Sequence, residues 1–315
     1  IGAGPAGLTA AFILSKKGFK VDIYEAGPKE GGMAKTIELW GQLVDLGPHR
    51  FFSQDPRVNE IFFEILEEDY TVINRKTRIY YNKYFFDYPL KPFNALKGLG
   101  LFEATRCIIS LFKSKLRIIN LKKNNQASSF EDWVRNRFGG RLFEIFFKTY
   151  SEKLWGIPCN KLDSDFAAQR IKKFSLIEAI KSSLLKKKGF KHKTLVDAFT
   201  YPNLGTGMIY ERMLKKILNL GSTIYFNKPV KAINPNKKKN NQVEIIFQND
   251  SAQYYDEIIS TMPITNLVRS MQSIAPNEVM KCIDTLKFRN TILVYLEIKN
   301  EKIFPDQWIY VHTQK

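Results

Sequence analysis

Apolar positions along the 315-residue chain change their period several times, and each change marks a new element. A glycine turn at residues 2–7 opens a helical run that stops at Gly18. The short strand Val21-Asp22-Ile23-Tyr24-Glu25 follows. Asp55-Pro56 reads as an N-cap with proline at the first helical position, and Val58, Ile61, Phe62, Ile65 and Leu66 recur behind it at helical spacing. Residues 71–90 have the texture of strands, carried by Val72, Ile73, Ile79, Tyr80, Tyr81, Tyr84, Phe85 and Phe86, with Asn82-Lys83 as a turn. From 93 to about 193 the period is helical, and Ser128 and Glu131 are spaced as a capping box. A second glycine loop at 205–207 leads into a helix with Ile209, Leu214, Ile217 and Leu218 that ends at Gly221. Strands are then expected at 223–226, 230–233, 243–247, 257–260, 292–298 and 308–311.

This order predicts an α/β protein with a Rossmann-like domain assembled from two stretches, 1–70 and 196–263. Strands at 71–92 and a helical insertion at 93–195 would separate them. Residues 264–315 would add to a second, mostly antiparallel sheet. The strand expected before Ile1 is cut to one residue and the sequence stops on a strand, so it is expected to be truncated at both ends.

Composition narrows the class. No stretch reaches the roughly 18 uninterrupted apolar residues that a membrane-crossing helix needs. Cys107, Cys159 and Cys282 form no C-x-x-C pattern, and with 3 histidines no metal site is expected. The net charge of +18 is spread along the chain without the interleaved aromatics of a base-stacking surface. Nucleic acid is therefore not an expected partner. The readings kept for the charge are a solvated basic face, an anionic metabolite, or an anionic membrane surface. The expected location is the cytoplasm, with peripheral contact at the inner face of the membrane.

The glycine turn carries the first chemistry. Gly2 permits the tight turn out of a strand, Gly4 lets backbone approach a pyrophosphate, and Gly7 allows helix to pack on strand. Pro5 and Ala6 complete a helix N-terminus whose amides and dipole favour an anion. Glu25, 23 residues after Gly2, stands where a carboxylate would meet the adenosine ribose. The bland alternative is a glycine-rich turn with no ligand. The strand–turn–helix–strand–acid order favours a dinucleotide.

A second glycine pair, Gly31-Gly32, followed by Met33, Lys35 and Thr36, resembles the flavoproteins of the amine oxidase and protoporphyrinogen oxidase superfamily. That resemblance implies FAD, with the second loop beside the pyrophosphate and ribityl chain and with Ala26 next to the acidic residue. The loop, helix, glycine, strand and Val230-x-x-Ile233 order after Gly205 is similar to the second half of the FAD domain in that superfamily. There the backbone at Val230 would contact adenine. The run through Thr261 and Pro263 resembles the turn that closes the half-domain.

Within the superfamily two segments resemble UDP-galactopyranose mutases. Gly47, Pro48 and His49 are similar to the histidine loop against the flavin, which makes His49 the candidate catalytic residue. Residues 142–156 resemble a helix that carries aromatics at a nucleotide-sugar site, which implies Tyr150, Lys153, Trp155 and, further on, Arg170 as substrate-binding residues. On a helix, Phe146, Tyr150 and Lys153 share a face. Spacing alone favours an ordinary aromatic core. The resemblance implies a flavoenzyme in which reduced flavin N5 acts on a nucleotide-activated sugar for surface polysaccharide, with NAD(P)H as an external reductant. The alternative is a net FAD-dependent oxidase, dehydrogenase or desaturase on an apolar or amine substrate. The sequence leaves the oligomeric state open.

Overall fold

The structure is a computed structural model that describes residues 1–88, 90–120, 128–166, 198–235, 242–300 and 304–312. Of Pro92 and 117–120 it describes the backbone alone. The chain divides into two compact units, residues 1–73 with 198–295, and 74–197 with 296–315. The stretch from 264 onward is thus shared between the two units.

The first unit opens with helix α1 (Pro5–Lys16), whose first position is the proline and whose end is set by Gly18 at a φ of 84°. Strand β1 (Asp22–Tyr24) follows. Helix α2 (Pro56–Leu66) begins as its sequence predicts, with the Asp55 carboxylate accepting from the Arg57 amide at 2.9 Å. Helix α7 (Gly207–Asn219) and strand β8 (Thr223–Tyr225) repeat the helix–strand pattern, and β8 pairs in parallel with β1. Leu8, Ala11 and Phe12 of α1 meet Phe62, Ile65 and Leu66 of α2 and Met213, Leu214 and Ile217 of α7 in one core, with Ile23 of β1 beneath. A smaller core under Tyr24, Ile245 and Phe247 holds the antiparallel meander β9 (Val230–Pro235), β10 (Val243–Phe247) and β11 (Ala252–Tyr255).

Two short pairings complete this unit. Strands β2 (Thr36–Leu39) and β3 (Gln42–Asp45) form a hairpin whose two turn residues, Trp40 and Gly41, both have positive φ. Strand β4 (Tyr70–Asn74) pairs with β7 (Ala198–Pro202). Helices α8 (Ile264–Ser270) and α9 (Asn277–Thr285) pack on each other.

In the second unit β5 (Thr77–Tyr81) pairs antiparallel with β6 (Tyr84–Asp87) through Asn82-Lys83, both at positive φ as the expected turn requires. Strand β12 (Trp308–Val311) joins β5 in parallel. Helix α3 (Pro92–Asn120) breaks at Gly100, and α4 (Phe130–Phe138) follows. The helical run from Gly140 then continues as α5 (Gly140–Phe143), a π turn at Glu144–Lys148, and α6 (Thr149–Trp155). Phe86, Val134, Phe138, Phe143, Phe146 and Cys159 form the core of this unit.

Three expectations shift. The cap of α4 is one residue later than predicted: Ser129 accepts from the Asp132 amide at 3.2 Å, because Ser128-Ser129 and Glu131-Asp132 offer two registers. Residues 292–298 form no strand despite their alternation. Ile292 is 87% exposed and no described strand pairs with them. Residues 257–260 lie outside any ladder, although the Ile259 carbonyl still accepts from the Ile1 nitrogen at 2.7 Å.

Candidate functional site

In the first unit the two glycine loops are built against each other. The Gly31 amide donates to the Ala3 carbonyl at 2.8 Å, and a Cβ on Gly32 would lie 3.0 Å from the Cα of Gly4. A Cβ on Gly7 would lie 1.9 Å from the Gly2 carbonyl oxygen, so glycine is required there by the packing of helix on strand. Around Gly4 the nearest atom to an added Cβ is 3.8 Å away, which leaves open space over the start of α1. The Leu8 amide makes the first intrahelical bond, to Gly4 at 3.0 Å, so the amides of Ala6 and Gly7 stand in the first turn, where an anion is favoured. An open cradle of this kind fits a pyrophosphate.

Glu25 is held by backbone at both ends. One carboxylate oxygen accepts from the Ala3 amide at 2.7 Å and the other from the Gly27 amide at 2.8 Å. A carboxylate has about four lone-pair sites, so these bonds orient it and leave acceptor capacity for a ribose. Thr261 lies under the first loop, where its hydroxyl donates to the Ile1 carbonyl at 3.0 Å and would lie 2.5 Å from a Cβ on Gly2. Pro263 caps α8, and Val230 pairs with Phe247 beside Tyr24. Gly31, at a φ of 94°, turns the second loop over Lys35, while Met33 is 80% exposed and Ala26 lies between Glu25 and Gly27.

The residue that organises this half is Asp45 at the end of β3. Its carboxylate accepts from the hydroxyl of Thr36 at 2.5 Å, from the amide and hydroxyl of Thr206 at 3.0 and 2.6 Å, and from the Tyr201 hydroxyl. Burial would raise the Asp45 pKa, but these donors outweigh it and hold the acid below the usual carboxylate range. Burial and the same carboxylate push Tyr201 up to about 12. The Tyr295 hydroxyl adds a bond to the Asp45 carbonyl at 2.6 Å. Asp45 thereby fixes the loop that follows it, in which Gly47 has a φ of 97° and His49 donates from Nε2 to the Leu46 carbonyl at 3.1 Å. Pro5, Met33, Pro48 and His49 line a largely apolar cavity of about 480 Å³, together with Thr206 and Tyr210.

In the second unit the π turn precedes the candidate substrate residues. Phe146 is buried in the core, so it does not share an accessible face with Tyr150 and Lys153 as an uninterrupted α-helix would give. Tyr150 stacks on His312, with ring centroids 4.9 Å apart and planes 7° from parallel, and meets Tyr310 edge-on at 5.3 Å. His312 was not among the sequence candidates. It is buried, and its Nδ1 has no hydrogen-bond partner among the described residues. Burial lowers its pKa to about 4. Lys153 is exposed, and Trp155 is half-buried against Phe166 at 4.8 Å. Arg170 lies outside the described residues. No group of three or more His, Cys, Asp or Glu among the described residues could hold a metal ion.

Comparison with known proteins agrees with this geometry. The family model of flavin containing amine oxidoreductases matches residues 5–308. Coproporphyrinogen III oxidase of Staphylococcus aureus (strain NCTC 8325 / PS 47) is 25% identical over 283 residues, which are 84% of this chain and 59% of that protein. The 1-hydroxycarotenoid 3,4-desaturase of Flavobacterium sp. (strain P99-3) is 40% identical over 83 residues, 26% of this chain and 17% of that one. Among solved structures, reduced UDP-galactopyranose mutase has the same fold, with a TM-score of 0.74 at 23% identity over 91% of this chain and 60% of that one. The chain thus spans about three fifths of the length of these full-chain matches.

Proposed function

This chain belongs to the flavin-containing amine oxidoreductase family and its cofactor is FAD, and we propose that within that family it acts on a nucleotide-activated sugar in the manner of a UDP-galactopyranose mutase. Bound reduced flavin supplies N5 as the reacting atom. The protein's part is to hold the cofactor and orient the sugar nucleotide. The two glycine loops and the first turn of α1 would take the pyrophosphate of FAD, and Glu25, already oriented by two amides, its ribose. His49 would sit at the flavin edge, held by Leu46.

The observation that carries the reading is the group Tyr150, Lys153 and Trp155 on the single helical segment after the π turn. A flat aromatic face suits a nucleobase, and the exposed Lys153 ammonium on the same segment suits a pyrophosphate. The net charge of +18 also suits a dianionic substrate. A second reading, net oxidation of a porphyrin-like or isoprenoid substrate, is favoured by the match to the Staphylococcus aureus coproporphyrinogen III oxidase over 84% of this chain.

The test uses the full-length protein reduced anaerobically with dithionite and mixed with UDP-galactofuranose, with products separated by chromatography. Appearance of UDP-galactopyranose with reduced but not oxidised enzyme is the expected result. An FAD-loaded enzyme that converts neither this pair nor other nucleotide sugars, yet consumes oxygen with coproporphyrinogen III, would overturn it in favour of the second reading.

A further inference from the structure

Helix α3 is apolar on two sides. Its inner side, with Leu99, Cys107 and Leu111, packs into the second unit's core, and Gly98 lets Tyr84 and Phe86 come so close that a Cβ would fall 2.4 and 2.5 Å from their rings. Beyond the break at Gly100, its outer side is also apolar. Leu101 and Phe102 are each 77% exposed, Phe112 65% and Leu116 60%, with Ile108 and Ile109 about half exposed beside them. At 3.6 residues per turn these six side chains fall within one arc about 120° wide. Thr105 lies inside the arc, but its hydroxyl donates to the Leu101 carbonyl at 2.8 Å and so presents no unmet polar demand.

Cations border this arc. Arg106 and Lys113 stand along one edge and Lys115 along the other. The one acidic residue of α3, Glu103, is turned away and paired with Arg141 and Arg106. An apolar stripe this continuous is uncommon on an exposed surface. Its basic borders say what would cover it. Long cationic side chains lie along an apolar surface and place their heads at its rim, where lipid phosphates would sit. No described helix is long and apolar enough to cross a membrane, so α3 would lie in the interface plane.

We infer that the outer face of α3 docks on an anionic phospholipid bilayer, with Leu101, Phe102, Ile109 and Phe112 inserted among the acyl chains and Arg106, Lys113 and Lys115 on the headgroups.

The experiment is co-sedimentation of the full-length flavoprotein with vesicles of phosphatidylcholine alone and of phosphatidylcholine with phosphatidylglycerol. Binding to the anionic vesicles, released by salt, is expected. Lys113→Gln with Lys115→Gln should lower the partition coefficient by roughly 30-fold, and Leu101→Ser with Phe112→Ser by at least about tenfold. FAD content and melting temperature, unchanged in both variants, would exclude misfolding. Phe112→Trp reports independently: its emission should shift to the blue only with anionic vesicles. Absence of binding to either vesicle overturns the inference, as does binding that neither double variant weakens. A Phe112→Trp emission already blue-shifted in buffer and unmoved by vesicles would show the face covered by protein, either a second copy or the rest of the chain, and overturns it equally.

Discussion

Thr206 donates both its hydroxyl and its amide to the carboxylate of Asp45, 161 positions earlier in the chain. The pair ties the end of the β2–β3 hairpin to the glycine loop at 205–207, and a Cβ on Gly207 would lie 2.5 Å from the Thr36 amide nitrogen. Asp45→Ala strands the donors of Thr36, Tyr201 and Thr206 together. A loss of about 3 kcal/mol in unfolding free energy is expected by denaturant titration, with reduced FAD retention. Because this acid's folded pKa is depressed, its contribution is fully present above the ordinary carboxylate range. It is lost as pH falls through the lowered value.

Two glycines of the first loop separate packing from cofactor binding. Gly7→Ala meets backbone at 1.9 Å and has no side chain to displace. It should cost upward of about 3 kcal/mol and give little folded protein. Gly4→Ala has room in the protein and should melt normally without cofactor, yet purify with its flavin absorbance depleted. Melting curves and the ratio of flavin to protein absorbance distinguish the two.

His312 should make the second unit acid-sensitive in a defined window. Its folded pKa of about 4 lies below the ordinary value near 6.5, so between the two the unfolded state binds the extra proton. The stability from keeping this ring neutral is present above pH 6.5 and falls by about 3 kcal/mol on descending to pH 4. His312→Gln should flatten that slope. An imidazole proton resonance that titrates near 6.5 would contradict the assignment.

Asp306 and Arg78 form a second acid-sensitive contact in that unit. The buried carboxylate accepts from the guanidinium Nε at 2.8 Å and from its Nη2 at 2.5 Å. The bidentate bond outweighs desolvation and lowers the acid's pKa, so the contact persists above the ordinary carboxylate range and fails below it. Asp306→Ala removes the bidentate charge-assisted contact of Arg78 and should cost about 1.5–3 kcal/mol. Replacing both residues by apolar ones of similar size should cost far less.

If the substrate is a nucleotide sugar, Lys153→Met should raise KM roughly 10- to 100-fold with little change in kcat, since it removes one charge-assisted bond to the phosphates. Steady-state kinetics on the reduced enzyme measures this. A fall in kcat alone would place Lys153 outside the phosphate contacts.

The glycine loops were legible because glycine is demanded locally, by a positive φ at Gly31 and by the backbone contact at Gly7. Asp45 was not, since its role exists only once residues 36, 201 and 206 converge on it. The alternation in 292–298 states which side chains share a face and says nothing about whether a neighbouring strand exists to pair. Tyr295 does turn inward, its hydroxyl donating to the Asp45 carbonyl, without any ladder. Nor does hydrophobic spacing register the π turn at Glu144–Lys148, and Phe146, within that turn, lies in the core. His312 carried no motif at all, and only its stacking on Tyr150 brings it to notice.

The π turn at Glu144–Lys148 holds one residue more than the α turn it replaces, so every position after it is rotated by about 100° relative to an uninterrupted helix. Which residues of α6 face His312 is therefore set by this turn as much as by their identity. Deleting a single residue from this turn would restore an α turn and leave Tyr150, Lys153 and Trp155 on their present bearings. The π turn is thus a place where this helix can gain or lose one residue without re-aiming the side chains that follow it.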